Sequence, residues 1–315
     1  MAGVVYLQQS CYNQFSKESE KTHMNIVITT LFGLESLVRE DLTGIGYTKE
    51  QINVSDGVVT LNVPDIELAT AVARVNMWVA HGERVYFEVG TFGATTFEDF
   101  FDNTKLLNWN DYIPKDYSFV VNGYSRKSVL FGIPACQSLA KKAIVKSLCK
   151  ARHLGEDGMI NENKNLGEIR IQFGIVSDKV QMMIDTTGEG LHKRGYRPLT
   201  HEAPIRETLA SGMVSLARFR PFGFEALVDP MCGSGTILIE AALKVCGAAP
   251  GRLRHFGYED IPYIGQDAYK KAYEEARDLE DFSEYDDIYF HGSDIDPSAI
   301  YNANKNATVA GVGKM

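Results

Sequence analysis

Apolar positions along the chain switch between a two-residue and a three-to-four-residue spacing, and the switches mark out three blocks. In the first, "MNIVITTLFGLESLVREDLTGIGY" predicts a strand over Ile26–Thr30, a glycine turn, and a helix that lines up Leu34, Leu37, Val38 and Leu42. "INVSDGVVTLNV" predicts a hairpin that turns at Asp56-Gly57 between β-rich arms. This β-α-β-β start predicts a small open α+β unit.

In the second block, "IELATAVARVNMWVAHGERVYFEVGTF" predicts a helix and a strand. "YSFVVNGY" and "EIRIQFGIVSDKVQMMID" predict further strands, the latter a hairpin around Ser177-Asp178. Between them, "GIPACQSLAKKAIVKSLCKARHLG" has helical periodicity: Ala140, Ile144, Leu148 and Ala151 share one face, and Lys142, Lys146 and Lys150 the opposite one. In the third block, "APIRETLASGMVSLARF" predicts a helix with Leu209, Met213 and Leu216 on its packed side. A short buried strand "FEALVDP", the turn "MCGSG" and an apolar helix "TILIEAALKVC" follow. "IYFHGSDIDPSAIYNANKNATVAGV" then predicts a strand, an acidic turn and a helix, with Asp296 as N-cap and Pro297 in the first turn.

Length and composition set the scale: 315 residues with 44% hydrophobic and 23% charged content suffice for two or three domains. No window approaches the roughly 18 consecutive apolar residues of a membrane span. Residues 1–23 lack a secretory pattern and read as a disordered leader, with Met24 an alternative start. Five cysteines, odd in number and without paired metal-ligand spacing, read as reduced thiols of a cytoplasmic protein and predict no metal site.

A net charge of -9 argues mildly against a polyanionic partner. The average conceals an exception, because no acidic residue lies between Asp116 and Glu156, where Arg126, Lys127, Lys141, Lys142, Lys146, Lys150 and Arg152 occur. The lysine face of the helix also lacks the i,i+4 acidic partners of an ordinary solvated helix, so it reads as a phosphate-binding surface. Lys193, Arg194 and Arg197 around Tyr196 suit a nucleic-acid strand or, alternatively, an interdomain linker. The acidic run "EEARDLEDFSEYDD", Glu274–Asp287, reads as a solvated helix face and loop.

The strand-to-helix turn "DPMCGSGT" carries the candidate chemistry. Such turns, at the carboxyl edge of a parallel sheet, are where doubly wound folds bind nucleotides. Gly233 and Gly235 allow backbone geometry and ligand approach that a side chain would obstruct. The lysine of a P-loop is absent, and Leu238 occupies the third glycine position of the dinucleotide fingerprint. Asp294 also lies far more than the roughly 20 residues beyond the turn that a nicotinamide-binding unit expects. An adenosine ligand without a phosphate chain fits better, and S-adenosylmethionine is one. Asp229 would lie near its ammonium group, Asp294 would accept from the ribose hydroxyls, and Ile295 would lie beside the adenine.

"DPMCGSGTILIEAAL" together with "GSDIDPSAIYNANKNATVAGV" resembles the class I methyltransferase domain of the THUMP-containing guanine-N2 RNA methyltransferases, some of which carry an N6-adenine-specific DNA methylase label. "GLESLVREDLTGIGY" is similar to that family's ferredoxin-like start. "NWNDYIPKDYSFVVNGYSRKSVLFGIPACQSLAKKAI" resembles its THUMP domain, and "GEGLHKRGYRPLTHEAPIRETLA" its connection to the catalytic domain.

The resemblance implies an α/β and α+β multidomain fold. Ferredoxin-like residues 24–66 and THUMP residues 67–187 would precede the first part of a Rossmann-like methyltransferase domain, residues 188–315. It implies that Asp229, Cys232, Gly233, Ser234, Gly235, Thr236, Asp294 and Ile295 bind S-adenosylmethionine, with Arg206 near its methionine end. It also implies that the basic helix, with Arg126 and Lys127, holds structured RNA, ribosomal RNA of the large subunit before tRNA.

The family's catalytic Asn/Asp-Pro-Pro-aromatic motif is expected on a later strand, yet none of the 10 prolines adjoins another. The chain therefore reads as C-terminally truncated, with no catalytic residue to name. An RNA-binding fragment inactive by itself and a DNA adenine-N6 methyltransferase are the alternatives from other classes.

Overall fold

The computed structural model describes residues 23–155, 158–198, 204–219, 226–282 and 289–313. The leader up to residue 22 and part of the acidic run, residues 283–287, lie outside them. The chain opens with β1 (His23–Thr30), α1 (Glu35–Gly44), β2 (Ile52–Ser55), β3 (Val58–Pro64), α2 (Leu68–Trp78) and β4 (Gly82–Gly93). Next come α3 (Phe97–Leu106), α4 (Trp109–Tyr112), β5 (Tyr117–Arg126), α5 (Ile133–Ala151), β6 (Asn163–Val176) and β7 (Lys179–Asp185). The remainder is α6 (Glu207–Leu216), β8 (Ala226–Asp229), α7 (Thr236–Val245), α8 (Gly265–Leu279), β9 (Tyr289–Gly292) and α9 (Pro297–Ala310).

β1 to β7 form one seven-stranded sheet in the order β2-β3-β1-β4-β7-β6-β5, antiparallel except for β5 beside β6. The first two sequence blocks are joined through the long β4, which pairs with β1 along its first half and with β7 along most of its length. Alternation sets the faces: Ile26 and Ile28 of β1, Val59, Leu61 and Val63 of β3, and Ile169, Ile171, Phe173 and Ile175 of β6 enter the main core.

The turns behave as their residues predict. Ser177 and Asp178 both take left-handed φ angles, 49° and 61°, and Gly57 takes 72°. Both Glu35 carboxylate oxygens accept backbone N–H groups, from Gly33 and Gly57, each at 2.8 Å, which binds the turn after β1 to the β2–β3 turn. The Gly57 N–H, first, and the Gly33 N–H hold the Glu35 carboxyl below its ordinary range.

Helix α5 buries Cys136, Ala140, Ala143, Ile144, Leu148 and Cys149. Ala151, expected on that face, is exposed; it is the final residue of the helix, one turn beyond the buried Leu148. Helix α6 departs further from expectation. Leu209, Met213 and Leu216 are 38%, 45% and 59% exposed, while Thr208, Ala210, Ser211, Gly212 and Val214 face inward. The small residues let the helix backbone approach the first block: a Cβ on Gly212 would stand 3.0 Å from Leu34 Cδ1. Close approach, not the bulk of the leucines, decides the buried side.

β8 and β9 are parallel neighbours in register, Ala226 opposite Tyr289 and Asp229 opposite Gly292. The strand expected to be buried is half open, with Val228 56% exposed, because β9 is its sole strand neighbour among the described residues. The crossover between these strands reaches back to the first block. Ala249, Phe256, Tyr258, Ile261, Ile264, Ala268, Ala272 and Ala276 belong to the same apolar core as the seven-stranded sheet. Glu275, expected on a solvated face, instead accepts two hydrogen bonds from Arg74 of α2, at 2.8 and 2.7 Å.

Arg254 completes the seam by donating to the carbonyls of Gly190 (2.6 Å), Glu189 (2.5 Å), Lys193 (3.0 Å) and Thr187 (3.3 Å). Burial first, and neighbouring arginines, bring its pKa down to about 10. It therefore remains charged at neutral pH, as a group that donates to several carbonyls must.

Candidate functional site

The carboxyl ends of β8 and β9 stand side by side, so residues 229 and 294, far apart in sequence, meet in space. Asp229 Oδ1 accepts from Met231 N–H at 3.1 Å, and the Asp229 carbonyl accepts from Ser293 N–H at 3.0 Å. Cys232 N–H returns to the Ser293 carbonyl at 3.0 Å. Asp294 spans both turns: one carboxylate oxygen accepts from Gly233 N–H and the other from Asp296 N–H, each at 3.0 Å. The two acidic residues are thus held by backbone donors at one strand edge, an arrangement suited to hydroxyls and a cationic group and ill suited to phosphate.

The two glycines have different duties. Gly235 is the N-cap of α7 at φ 80°, and a Cβ there would meet Ala303 Cβ at 3.0 Å. Gly233, at φ 52°, has nothing within 4 Å of its Cβ position, so its backbone faces open space where a ligand can approach. Ser234, Thr236 and Cys232 are buried. Burial, reinforced by Asp229 and Asp294, raises the Cys232 thiol above its ordinary pKa, so this cysteine packs as a small apolar group and is not an activated nucleophile. Ile295 is fully exposed beyond the Asp294 turn. Asp296 caps α9 by accepting from Ser298 N–H at 2.8 Å, as its Asp-Pro context predicts.

Arg206 lies at the N-cap of α6 and pairs with Glu83 at 3.2 Å, on the edge of the first block. The residue that touches the glycine loop from this side is Arg197. It donates to Thr236 Oγ1 at 3.1 Å and to the Ile205 carbonyl at 2.8 Å, and it pairs with Glu207 at 3.2 Å.

The basic-aromatic run around Tyr196 requires a correction. Arg194 and Tyr196 are 3% and 1% exposed, and the Arg197 side chain 9%, so none of the three is displayed to a nucleic acid. Tyr196 donates to Glu240 at 2.9 Å, Arg194 pairs with Glu240 at 3.6 Å, and Arg194 also donates to the carbonyls of Leu191 and Ala80. Burial raises the pKa of Glu240 and carries that of Tyr196 well above its usual value. A carboxylate buried on α7 needs a cation and a donor, and the preceding connection supplies both. The signal was present: Glu240 is the one charged residue inside "TILIEAAL". Lys193 alone of the basic trio is exposed.

A second buried cluster escaped sequence reasoning. His81 Nδ1 lies 2.9 Å from the Asp41 carboxylate, and its Nε2 lies 2.9 Å from Ser215 Oγ of α6. Lys244 of α7 donates to the same hydroxyl at 2.9 Å. His81 is 6% exposed, and the cluster bolts α6 and α7 to α1.

On the basic helix, Lys142 and Lys150 are exposed and Lys146 is half-buried. Lys141 turns inward to Glu162 (3.0 Å) and the Phe119 ring, and Arg152 to Asn110 (3.0 Å) and the Ile113 carbonyl (2.6 Å). Lys105, Lys146, Lys150 and His153 line a cavity of about 620 Å³ whose wall includes Phe101. Arg126 lies over the Phe32 ring, and Lys127 takes a left-handed φ of 52° at the end of β5. Among the described residues no group of three or more His, Cys, Asp or Glu is placed to hold a metal ion, and no helix is long and apolar enough to cross a membrane.

Comparison with known proteins matches three family models in order: the RlmL ferredoxin-like domain over residues 25–86, the THUMP domain over 94–185, and the RMKL-like methyltransferase domain over 194–315. The chain is 37% identical over 291 residues to a Bacillus subtilis protein named "Putative RNA methyltransferase YpsC", covering 92% of this chain and 72% of that one. It is 30% identical to the ribosomal RNA large subunit methyltransferase K/L of Buchnera aphidicola, covering 92% of this chain but 40% of that protein.

Among solved structures, one described as a predicted N6-adenine-specific DNA methylase from Listeria monocytogenes superposes with a TM-score of 0.84 at 38% identity, over 93% of this chain and 73% of that one. A second, described as "SMU.472, a putative methyltransferase complexed with SAH", superposes at 0.83 with 34% identity, over 93% of this chain and 74% of that one. With the three domains in order and a relative 37% identical over most of both chains, this chain belongs to the THUMP-containing, RMKL-like RNA methyltransferase family.

Proposed function

We propose that the chain binds S-adenosylmethionine at the adjoining ends of β8 and β9 and serves methyl transfer to the N2 amine of a guanine in large-subunit ribosomal RNA. One observation carries the cofactor assignment: Asp229 and Asp294 emerge from neighbouring parallel strands on either side of a glycine turn whose Gly233 backbone is open to approach. The donor set fits the ligand. Two carboxylates suit an ammonium, a sulfonium and ribose hydroxyls, and the buried Arg197 braces the loop through Thr236 without adding positive charge at its mouth.

The protein's own residues bind and orient. Asp229 faces the amino-acid end, Asp294 the ribose, and the exposed Ile295 offers apolar contact to the base. The cofactor supplies an electrophilic methyl group, and placement of the acceptor nitrogen is the remaining requirement. Support for the RNA comes from the THUMP match and from Lys142, Lys146 and Lys150 on one helix face. Support for the large ribosomal subunit comes from the name of the Buchnera relative.

Labelled S-adenosylmethionine offered with unmodified ribosomal RNA, tRNA or DNA, followed by nucleoside analysis, tests the proposal. Label in N2-methylguanosine from ribosomal RNA is the expected result. Label in N6-methyladenine from DNA would favour the chemistry named for the Listeria structure and overturn the guanine assignment. Asp294→Ala is expected to weaken cofactor binding by about 10-fold or more, as loss of a charged hydrogen-bond acceptor does. Unchanged affinity in a folded variant would remove Asp294 from the site.

A further inference from the structure

We infer that Phe32, against Arg126, and Phe97 and Phe131, both beside Gly132 in the loop that follows Arg126 and Lys127, form a stacking station for unpaired nucleotides of an RNA. This inference rests on the RNA-binding reading above and extends it to residues of the ferredoxin-like and THUMP regions not yet given a role.

The three rings are exposed. Phe131 is 82% exposed, Phe32 69% and Phe97 45%; Phe131 and Phe32 are the most exposed aromatic side chains among the described residues, above Tyr289 at 62% and Tyr301 at 58%.

The segments that carry the rings are also fastened. Phe32 rests on Gly57, its ring edge 3.3 Å from where a Cβ would stand, and the Arg126 guanidinium lies 5.7 Å from the ring centroid. Phe131 sits in a fastened loop: Val129 N–H donates to Asp178 at 2.7 Å, Asp178 N–H to Ser128 Oγ at 3.1 Å, and Ile133 N–H to the Phe131 carbonyl at 2.9 Å. Leu130, beside it, is 4% exposed and anchors the loop in the core. The Phe97 ring lies 3.8 Å from the Cβ position of Gly132. A loop already fastened in the free protein has less to lose in conformational entropy on binding than a mobile one.

Charge favours one occupant. Arg126 lies against the Phe32 ring, with Lys127 next to it in a left-handed conformation uncommon for a non-glycine residue, and the segment from Tyr117 to Gly155 contains no acid; Glu98 and Asp99 follow Phe97, and Asp178 accepts from the Val129 N–H of the Phe131 loop. Cations interleaved with exposed rings match a strand that offers phosphates and base faces together. Bases of a paired helix are stacked on one another and closed to a ring, so the fitting partner is a loop, bulge or single-stranded end.

The test measures the affinity of the full chain for a labelled oligouridine and for an RNA duplex of the same strand length. Phe32→Ala and Phe131→Ala are each expected to weaken single-strand binding by about 5-fold or more, in the range that aromatic truncation produces per stacked base. Duplex affinity should stay within about 2-fold of wild type, because the phosphate contacts remain. Phe131→Leu, which keeps apolar area and loses the flat ring, should behave like Phe131→Ala. Phe131→Trp should retain affinity and have its emission quenched on binding.

Equal losses on both RNAs, full affinity of Phe131→Leu, or undiminished binding by the alanine variants would overturn this inference alone. A changed oligomeric mass on Phe131→Ala with unchanged RNA affinity would overturn it in favour of a second copy of the chain. Wild-type protein that binds neither RNA would overturn it together with the reading beneath it.

Discussion

Replacing Arg194 by Met separates a core cation from a nucleic-acid contact. The guanidinium is 3% exposed, donates to the carbonyls of Leu191 and Ala80, and pairs with a Glu240 carboxylate that is itself 5% exposed. Methionine keeps much of the volume and removes the charge. Glu240 would then retain the Tyr196 hydroxyl, 2.9 Å away, as a hydrogen-bond donor and would carry an uncompensated charge in the core. Removing one partner of a buried pair typically costs about 3–5 kcal/mol, a large part of the stability of an ordinary domain.

The sign of the pH dependence follows from Glu240. Burial, its largest influence, raises its folded pKa, and Arg194 is the first of the groups that lower it. In the variant the folded pKa rises further. The native state then binds the proton more tightly than the unfolded chain, and stability is lost as pH rises from the unfolded value near 4.5 toward the folded one. Arg194→Met should therefore be least damaging in acid and most damaging at neutral pH.

Urea unfolding at several pH values measures this, and the Arg194→Met/Glu240→Gln double variant should recover most of the loss. A cost below about 1 kcal/mol at neutral pH, or no recovery in the double variant, would refute the buried-pair account. Unperturbed stability with weakened RNA binding would return Arg194 to the RNA surface.

Changing Lys142, Lys146 and Lys150 together to Ala should flatten the salt dependence of RNA binding by about 0.7 in log-log slope for each phosphate no longer neutralised; an unchanged slope would leave that face merely solvated. His81→Ala removes the bolt between Asp41 and Ser215 and should cost about 2–3 kcal/mol, as loss of hydrogen bonds to a charged group does, while Ser215→Ala should cost less because Asp41 keeps its imidazole; equal costs would argue against the arrangement. Gly235→Ala meets both the left-handed φ of 80° and the Ala303 side chain, and should lose about 1–2 kcal/mol or more together with cofactor affinity, which denaturation and calorimetry with S-adenosylhomocysteine would show; full stability would refute the steric reading.

Local chemistry made much of this molecule legible. Asp56-Gly57 and Ser177-Asp178 announced their hairpins because their residues tolerate the required backbone, and Asp296-Pro297 announced a helix start because it supplies a cap and a preset φ. The glycine turn and Asp294 pointed to one another because each lies at the end of a predicted strand leading into a helix, and parallel pairing of those strands makes the ends neighbours. The misreadings share a cause. Leu209, Met213 and Leu216 formed a convincing stripe, yet α6 packs by its small side, where Gly212 approaches Leu34 and Ser215 reaches His81. Lys193, Arg194 and Arg197 read alike in sequence, and only one of the three is displayed.

Sequence alone determined the order of elements, the glycine turn between β8 and α7, the absence of phosphate-chain motifs and the family resemblance, since each depends on residues within a turn or two of one another. The tertiary structure decided which cations face solvent and which are consumed inside. It placed the crossover segment around Arg254 and Glu275 in the core of the first block, joined the two N-terminal regions through β4, and set Phe32 beside Arg126. These outcomes depend on which buried carboxylate or carbonyl lies across a domain seam. A buried charge takes the nearest available partner in space, and spacing along the chain does not encode that distance.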